Sequence, residues 1–437
     1  MQHGIAPRFP FCEKDAKNIN MLKQTLYILC ALLAFSAFAA VAEGPQKGFG
    51  KNPDLPKPFA TESARKFSSV VGWPDGVTPK APAGFRVTLF AKGLDSPRWI
   101  YVLPNGDVLV SEARTGRKWI FDKSPDDIIL LRDANGDGIA EVQKEFASGF
   151  NKPFGMTLLK DKFYVANMDG LLRFDYRDGD EKLKGSGEKL LDLPAGGYNH
   201  HWTRNVVAGM GGKKLYVSVG SASNVGEGGM EDEKRRAAIL EINPDGSGER
   251  IFASGLRNPV GMAFEPETGA LWTAVNERDK LGDDLVPDYF TSVKDGGFYG
   301  WPYFYFGKHP DPRWKITAQM EAMEVKAPDY ALGAHTASLG LAFYAVKAFP
   351  DKYQGAAFIG QHGSWNRSAF AGYKVIFVPF KDGKPAGAAQ DFLTGFIKDE
   401  AAGEVYGRPV GVAVAKDGSL LVADDAGNAI WRVAPEK

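Results

Sequence analysis

A unit of two short apolar strands recurs six times along this chain of 437 residues and restricts its fold more than any other feature. Each copy has a polar approach, a first apolar strand that three of the six copies enter through Pro-x-Gly, a turn, and a second apolar strand that ends in small residues. Turns such as Pro104-Asn-Gly-Asp107 are typical of hairpins. The copies begin at Ser96, Lys152, His201, Asn258, Ala337 and Arg408, and their second strands lie at 108–111, 163–166, 215–218, 271–274, 357–360 and 420–423.

Repeats of this size without helical periodicity predict an all-β fold, specifically a six-bladed β-propeller. Residues 85–90 precede the first copy, and we expect them to complete the last blade so that the two chain ends close the ring. The fourth and fifth copies are the longest, so the loops around 279–329 are expected to carry insertions on one face. A β-sandwich with coincidental Pro-Gly turns is the alternative.

Residues 1–42 resemble a secretory leader, because a charged start at Met21-Leu-Lys-Gln precedes an apolar run at 26–35 and small residues follow. We expect export to the periplasm and cleavage after Ala42. A retained membrane anchor is the alternative, although the run is short for a span of about 20 residues. Residues 43–84, rich in Pro, Lys and Gly, are expected to form an exposed arm before a single propeller domain at 85–437.

The composition excludes several classes of site and partner. Both cysteines, Cys12 and Cys30, lie in the leader, so the mature chain has neither disulfides nor cysteine-ligated zinc. The 53 basic and 53 acidic residues balance, which favours neither a nucleic-acid partner nor a polybasic membrane surface. Without a cysteine nucleophile or a Gly-x-Ser-x-Gly elbow, covalent acyl transfer is not expected. We therefore expect no nucleic acid and no stable membrane insertion.

Polar residues cluster where first strands begin and second strands end, and in a blade these two positions meet at the same face. Inward-facing arginines are costly without counter-ions, so they predict a bound polyanion such as a carboxylate. A neutral histidine beside such cations is placed to remove a proton from a hydroxyl. The alternative is that these residues form a solvent-exposed polar rim that has no binding or catalytic role. The residues are Asn199, His200, Arg257, Asn258, His335 and Arg408 from strand starts, and Glu112, Arg114, Asn167, Asn276, Glu277, Arg278, His362, Arg367, Asp424 and Asp425 from strand ends.

Four motifs carry a family resemblance: Asn199-His-His-Trp-Thr-Arg204, Gly255-Leu-Arg-Asn-Pro-Val-Gly-Met-Ala-Phe264, Gly296-Gly-Phe-Tyr-Gly-Trp-Pro302 and Gly407-Arg-Pro-Val-Gly411. Through them, residues from about 85 to 433 resemble the soluble glucose/sorbosone dehydrogenases, particularly the sorbosone or aldose branch. Those proteins are six-bladed propellers that bind pyrroloquinoline quinone (PQQ) and calcium and oxidise sugars. The resemblance implies a sugar or aldehyde substrate. The chain has no Cys-x-x-Cys-His haem motif, so a separate molecule is expected to accept the electrons.

The resemblance also implies roles for individual residues. His200, four residues before Arg204, matches the general base, and His201 is expected to shape the pocket. Backbone carbonyls of Glu277 and Arg278 match calcium ligands. Asn276 stands where the family usually has glutamine, and Tyr406 where a second arginine is expected. The implied cofactor-binding residues are Asn199, Arg257, Asn258, Asn276, Asp284, Arg367 and Arg408.

A second ion site is suggested by the segment Asp133-Ala-Asn-Gly-Asp-Gly-Ile-Ala-Glu141. Asp133, Asn135, Asp137 and Glu141 offer oxygen atoms at positions one, three, five and nine. The segment is not a full EF-hand, because Lys144 occupies position twelve. A structural calcium site is expected here, and a solvated acidic turn is the alternative.

Two other functions remain open from the sequence. A lactone hydrolase would bind a divalent ion in the channel, with Glu112, Asn167, Asn276 and Asp424 as a ligand set. A non-catalytic propeller would bind peptide or glycan on its rim, because the fold alone does not fix function.

Overall fold

The structure is a computed structural model that describes residues 48–115 and 123–436. The expected leader at 1–42 lies outside the described residues. Regular structure in the described part is almost entirely β-strand, with one α-helix, α1 (Ala318–Glu321), and a 3-10 helix at Asp351–Tyr353. The all-β prediction is confirmed. None of the helices in these two ranges is long and apolar enough to cross a membrane.

The first half of the chain supplies strands in sequence order. The strands are β1 (Phe49–Gly50), β2 (Ser69–Val70), β3 (Phe85–Lys92), β4 (Pro97–Val102), β5 (Val108–Glu112), β6 (Asp127–Arg132), β7 (Val142–Ser148), β8 (Met156–Leu159), β9 (Lys162–Asn167), β10 (Gly170–Asp175), β11 (Glu188–Asp192), β12 (Arg204–Ala208), β13 (Leu215–Val219), β14 (Ala238–Ile242) and β15 (Arg250–Ser254). The predicted second strands of the first three copies are β5, β9 and β13.

The second half contains longer connections with short additional strands. The strands are β16 (Pro259–Phe264), β17 (Leu271–Val275), β18 (Pro287–Ser292), β19 (Gly297–Phe298), β20 (Phe304–Tyr305), β21 (His309–Pro310), β22 (Tyr330–Ala334), β23 (Ser338–Phe343), β24 (Ala357–Gln361), β25 (Lys374–Val378), β26 (Phe380–Lys381), β27 (Lys384–Pro385), β28 (Gln390–Leu393), β29 (Ile397–Asp399), β30 (Glu404–Val405), β31 (Pro409–Val414), β32 (Leu420–Asp424) and β33 (Ala429–Pro435). The remaining predicted second strands are β17, β24 and β32.

Each repeat copy forms an antiparallel run of four strands: β4 to β7, β8 to β11, β12 to β15, β16-β17-β18-β22, β23-β24-β25-β28 and β31-β32-β33-β3. In the last run, β3 from the start of the chain pairs with β33 from its end, from Phe85↔Pro435 to Lys92↔Ala429. This confirms that the strand before the first copy completes the last sheet. The first strands β4, β8, β12, β16, β23 and β31 contact one another in that order, and β31 also contacts β4.

The glycine near the start of several first strands has a packing role between neighbouring first strands. A Cβ at Gly261 would lie 2.5 Å from the carbonyl oxygen of Leu339, and a Cβ at Gly340 would lie 2.1 Å from that of Val410. Only glycine permits such close approach of one backbone to another. The repeated glycine thus marks the places where the backbones of neighbouring first strands approach each other closely.

The N-terminal segment from residue 48 to 84 keeps many exposed side chains but is tied to the sheets through its backbone. β1 pairs with β22 at Phe49↔Leu332, and β2 pairs in parallel with β30 at Ser69↔Glu404. The segment therefore pairs with a strand of the fourth copy and with a strand that lies between the fifth and the last copies. The domain boundaries at 42 and 85 stay a prediction.

Candidate active site at the strand mouths

A cavity of about 250 Å³ lies where several first strands begin and second strands end. It brings together residues that are distant in sequence, as the repeat predicts. Its wall is rich in cations and in imidazoles. The polar wall residues discussed below are Arg98, His200, His201, Arg257, Asn258, Asn276, Asp279, His335, His362 and Arg408.

Arg257, in the loop that precedes β16, lines the cavity and is fully buried. Its Nη1 donates to the backbone carbonyls of Asn276 at 3.1 Å and Glu277 at 2.7 Å. Its Nε and Nη2 donate to the carbonyl and side-chain oxygens of Asn224 at 3.2 and 2.9 Å. The guanidinium is thereby fixed in one orientation, with Asp279 as its counter-ion at 3.4 Å.

Asp279 also pairs with His335, whose Nδ1 lies 3.3 Å from its carboxylate. The second ring nitrogen of His335 lies 2.8 Å from the carbonyl oxygen of Gly282. Burial alone would lower the pKa of His335, but the hydrogen bond and charge of Asp279 outweigh it and raise the pKa. The φ of 61° at His335 is costly for a residue other than glycine, and these two contacts hold it.

His200 is open to the cavity, and its Nδ1 lies 2.8 Å from the hydroxyl of Tyr198. Its backbone N–H donates to the carbonyl of Ala222. The surrounding protein reduces the hydration of the ring, and the charge of Arg257 opposes protonation, so the pKa of His200 lies below its usual value. The hydroxyl of Tyr198 can donate or accept, so this contact does not select a tautomer.

His201 is buried, and its Nδ1 lies 2.9 Å from both the carbonyl oxygen and the Oγ of Ser221. The Ser221 hydroxyl donates its own proton to the carbonyl of Ser223 at 2.6 Å. Both Ser221 oxygens therefore accept from His201, which fixes the proton on Nδ1 and leaves the lone pair on Nε2. Burial, followed by the charge of Arg257, holds the pKa of His201 well below its usual value.

Gly220 and Asn258 adjoin His201 at the end of β13. A Cβ at Gly220 would lie 2.4 Å from Oδ1 of Asn258 and 2.6 Å from Cβ of His201, so this close approach requires glycine. The Oδ1 atom of Asn258 is buried and accepts no hydrogen bond within the described residues. A buried amide oxygen of this kind is costly unless a donor reaches it.

Arg408 and His362 also line the cavity. Nε and Nη2 of Arg408 donate to the backbone carbonyls of His362 at 2.9 Å and Gly363 at 2.8 Å. His362 Nε2 donates to Asp425 at 2.8 Å, and Arg98 pairs with the same carboxylate. Burial, and then the charge of Arg408, lowers the pKa of His362 to about 4.

Two further groups of sequence-predicted residues lie away from the cavity wall. Oδ1 of Asn199 accepts from Arg236 at 2.5 Å and from Arg204 at 3.3 Å. The side chains of Glu277 and Arg278 are buried against each other, with Nε of Arg278 2.8 Å from the Glu277 carboxylate. The expected calcium ligands in this stretch are backbone oxygens, and the carbonyl of Glu277 is the one that accepts from Arg257.

The loop that follows β24 meets the insertion that follows β17. Arg367 pairs with Asp284 at 2.8 Å, and Ser368 bonds to Asp283 through its hydroxyl and its backbone N–H. This contact joins two loops that border the site. Arg367 and Asp284 thus satisfy each other outside the cavity wall.

The segment after β6 forms the expected acidic loop. Asp133, Asp137 and Glu141 offer oxygen atoms that all lie within 4.8 Å of one another. Oδ1 of Asp133 accepts from the backbone N–H of Gly136 at 2.7 Å, and Asn135 donates to Glu141 at 2.6 Å. The backbone already wraps around these oxygens, which is the arrangement a calcium loop needs.

Sequence reasoning missed Arg98, Asp279 and Trp365 in the cavity wall. Arg98 follows Pro97, and aligning the repeat copies on this proline with Pro259 and Pro409 would have placed it at a strand start. Asp279 and Trp365 lie in irregular loops, where no repeat position marks them.

Comparison with known proteins identifies a family and similar chains. A family model described as Glucose / Sorbosone dehydrogenase matches residues 94–432. An uncharacterized protein of Borreliella burgdorferi is 30% identical over 374 residues, which cover 82% of this chain and 92% of that protein.

Solved structures are similar over most of the chain. The holo form of the pyranose dehydrogenase PQQ domain from Coprinopsis cinerea has a TM-score of 0.67 at 21% identity and covers 84% of this chain and 100% of its own. The calcium structure of a Trichoderma reesei carbohydrate-active enzyme of family AA12 has a TM-score of 0.68 at 19% identity, with coverages of 82% and 97%. These similarities support the β-propeller fold. Because the family model spans most of the chain, the protein belongs to the glucose/sorbosone dehydrogenase family.

Proposed function

We propose that this protein is a periplasmic, PQQ-dependent dehydrogenase that oxidises an aldose or a sorbosone-like aldehyde and passes the electrons to a separate acceptor. The observation that carries the proposal is the convergence of Arg98, Arg257 and Arg408 with paired histidines in one cavity. We further infer that the six four-stranded runs are the six blades of one propeller, because their first strands contact in a closed order.

The residues of the cavity fit a polycarboxylate quinone. Guanidinium groups attract carboxylates, and Arg98, Arg257 and Arg408 all line the cavity. The N–H groups of Arg257 already donate to protein oxygens, so Arg257 contributes its positive charge rather than a direct hydrogen bond to the ligand. The buried Oδ1 of Asn258 is an acceptor that a donor on the ligand would satisfy. When bound, PQQ would supply the acceptor for the two electrons removed from the sugar.

The calcium ion that the resemblance implies fits the residues of the cavity less well than PQQ does. The carbonyl oxygens of Asn276 and Glu277 point to a common place, as ligands of a hard cation must. Both already accept from Nη1 of Arg257, so a cation there has to share them with a guanidinium. We propose calcium as part of the loaded site, with the backbone carbonyls of Glu277 and Arg278, the ligands that the resemblance implies, as its protein ligands.

The chain's own contribution to the reaction is a proton acceptor. The resemblance assigns this role to His200; we propose His201 instead, and the support for this is that Ser221 fixes its proton on Nδ1. A neutral imidazole accepts a proton from a sugar hydroxyl at Nε2 and is kept neutral beforehand by burial and by Arg257. General base catalysis of this kind is typically worth about 10²–10⁴-fold in rate.

Paired variants test both the function and the base. We expect the chain loaded with PQQ and calcium to reduce a dye when given aldoses. His201→Ala is expected to lower kcat by about 10²–10⁴-fold, whereas His200→Ala, its matched control, keeps most of the activity. Both variants are expected to bind PQQ as the parent does. Loss of activity only in His200→Ala would restore the assignment from the resemblance, and no dye reduction with any aldose or with a sorbosone-like aldehyde would exclude the function.

The hydrolase hypothesis has less support. Of its four proposed ligands, only Asn276 lies in the cavity wall. Both carboxylate oxygens of Asp424 accept hydrogen bonds, Oδ1 from the backbone of Arg408 and Oδ2 from the indole of Trp73. These contacts leave Asp424 poorly placed to bind a metal ion.

A further inference from the structure

The segment 57–73, here called the strap, runs along the face of the sheets where the cavity opens. The backbone N–H of Phe59 donates to the carbonyl of Leu281 at 2.8 Å, and that of Lys66 donates to the carbonyl of Trp365 at 2.8 Å. The side-chain amide of Asn366 donates to the carbonyl of Ala64 at 2.6 Å. The strap is therefore held in register against the loop that follows β24.

Trp365 connects the strap to the candidate active site, because this half-buried residue lines the same cavity as His201 and His335. The ring of Phe67 stacks on Trp365 with centroids 5.6 Å apart and planes 11° from parallel. Phe67 is nevertheless 63% exposed. A flat aromatic surface thus continues from the cavity wall to the solvent.

Packing alone does not account for this surface. Phe59, on the same strap, is 58% exposed and forms no ring stack within the described residues. Phe67 differs because its ring is aligned with that of Trp365, which lines the cavity. An exposed, preorganised aromatic pair is the type of surface on which the C–H face of a pyranose ring packs.

Polar groups for sugar hydroxyls adjoin the aromatic pair. Lys66, the residue before Phe67, forms a loose ion pair with Glu400 at 3.5 Å. The ammonium of Lys66 also lies 4.7 Å from the ring centroid of Phe370. A donor and an acceptor on an exposed rim are available to a ligand at small cost, because surface ion pairs of this kind contribute little by themselves.

The size of the cavity limits what it can hold. Its volume of about 250 Å³ lies below the roughly 300–1,000 Å³ of typical small-molecule sites. In the proposed function this space has to hold the cofactor and the reacting end of the sugar. Any further sugar unit therefore lies outside, where Trp365 and Phe67 are.

We propose that Phe67 and Trp365 form an outer subsite for the second sugar unit of a disaccharide or longer oligosaccharide. The reducing-end aldose of that substrate enters the cavity, so this inference rests on the proposed function. The subsite makes the preferred substrate class an oligosaccharide, and Phe67 is a specificity-determining residue.

The test compares Phe67→Ala with Phe59→Ala, the matched variant on the same strap. Both are assayed as the loaded enzyme with an aldose monosaccharide and with its 1,4-linked disaccharide and trisaccharide. Phe67→Ala is expected to raise KM for the two oligosaccharides by about fivefold, and to leave kcat and the monosaccharide KM unchanged. Phe59→Ala is expected to change none of these. An equal effect of Phe67→Ala on all three sugars, no effect, or the same effect from Phe59→Ala would overturn the subsite.

A binding experiment separates this inference from the proposed function. Calorimetry with methyl glycosides, which cannot be oxidised at the blocked end, measures affinity of the PQQ-free chain for one and for two sugar units. The parent is expected to bind the methyl disaccharide more tightly, and Phe67→Ala to lose that difference. If the parent shows this preference but oxidises no aldose, the subsite stands and the proposed function fails. If it oxidises aldoses without preferring the disaccharide, the function stands and the subsite fails.

Discussion

At the scale of single residues, His362 makes the stability of the protein depend on pH. Its folded pKa of about 4 lies below the value of about 6.5 of a free histidine. Between these two values the unfolded chain binds a proton that the folded chain does not. This residue therefore contributes stability that is present above about pH 6.5 and is lost as the pH falls to about 4.

His362→Gln isolates this effect, because the glutamine amide can still donate to Asp425. The slope of the unfolding free energy against pH between about 4 and 6.5 is expected to become shallower by up to about 1.4 kcal/mol per pH unit. Urea unfolding at several pH values measures that slope. Parallel curves for the parent and the variant would show that His362 is protonated in both states or in neither.

Sequence motifs predicted some of the residues that line the cavity but not the residues that hold them in place through hydrogen bonds. The Arg-Asn-Pro motif placed Arg257 and Asn258 at the cavity, but nothing in it revealed Asn224, whose oxygens hold the Arg257 guanidinium. The pair of histidines was visible, yet the contact on which we base the proposed choice between them comes from Ser221, which reaches Nδ1 of His201 from the end of the next strand. Such contacts between loops follow from the packing of sheets and have no local sequence pattern.

At the scale of elements, the loop from Asp133 to Glu141 predicts a calcium effect on stability. Binding to the folded state alone raises the midpoint of unfolding with ion concentration. The three carboxylates within 4.8 Å of one another repel until a cation joins them. We expect calcium to raise the thermal midpoint of the PQQ-free parent, and to raise it less in Glu141→Gln. The same calcium response in both proteins, measured by differential scanning calorimetry, would show that the loop is a solvated turn.

Elements inside the repeat were more predictable than elements outside it. All six second strands appear where the apolar runs predict them, because a strand buried on both faces reads as a continuous apolar stretch. The strap was expected only as an exposed arm, since its Pro-, Lys- and Gly-rich composition carries no periodicity. Its order comes from backbone hydrogen bonds such as that from Phe59 to Leu281, which any side chain permits.

At the scale of the whole molecule, the sequence repeat predicted more of the fold than any other feature. The pairing of β3 with β33 was foreseen because one strand was missing from the last copy and one was spare before the first. The insertions in the fourth copy supply Asp279 and the contacts of Arg367 with Asp284, which the repeat does not encode. The fold could therefore be predicted from the repeat, whereas the details of the site depend on insertions that lie outside the repeat.

The proposed function depends above all on PQQ binding in the cavity that lies where first strands begin and second strands end. The most direct measurement is calorimetric titration of the metal-stripped chain with PQQ, with and without calcium. We expect one PQQ per chain at micromolar affinity or better, strengthened by calcium and weakened in Arg408→Gln, because that guanidinium borders the cavity. Absence of binding at micromolar concentrations under both conditions would contradict the claim and favour a propeller that binds glycan or peptide without catalysis.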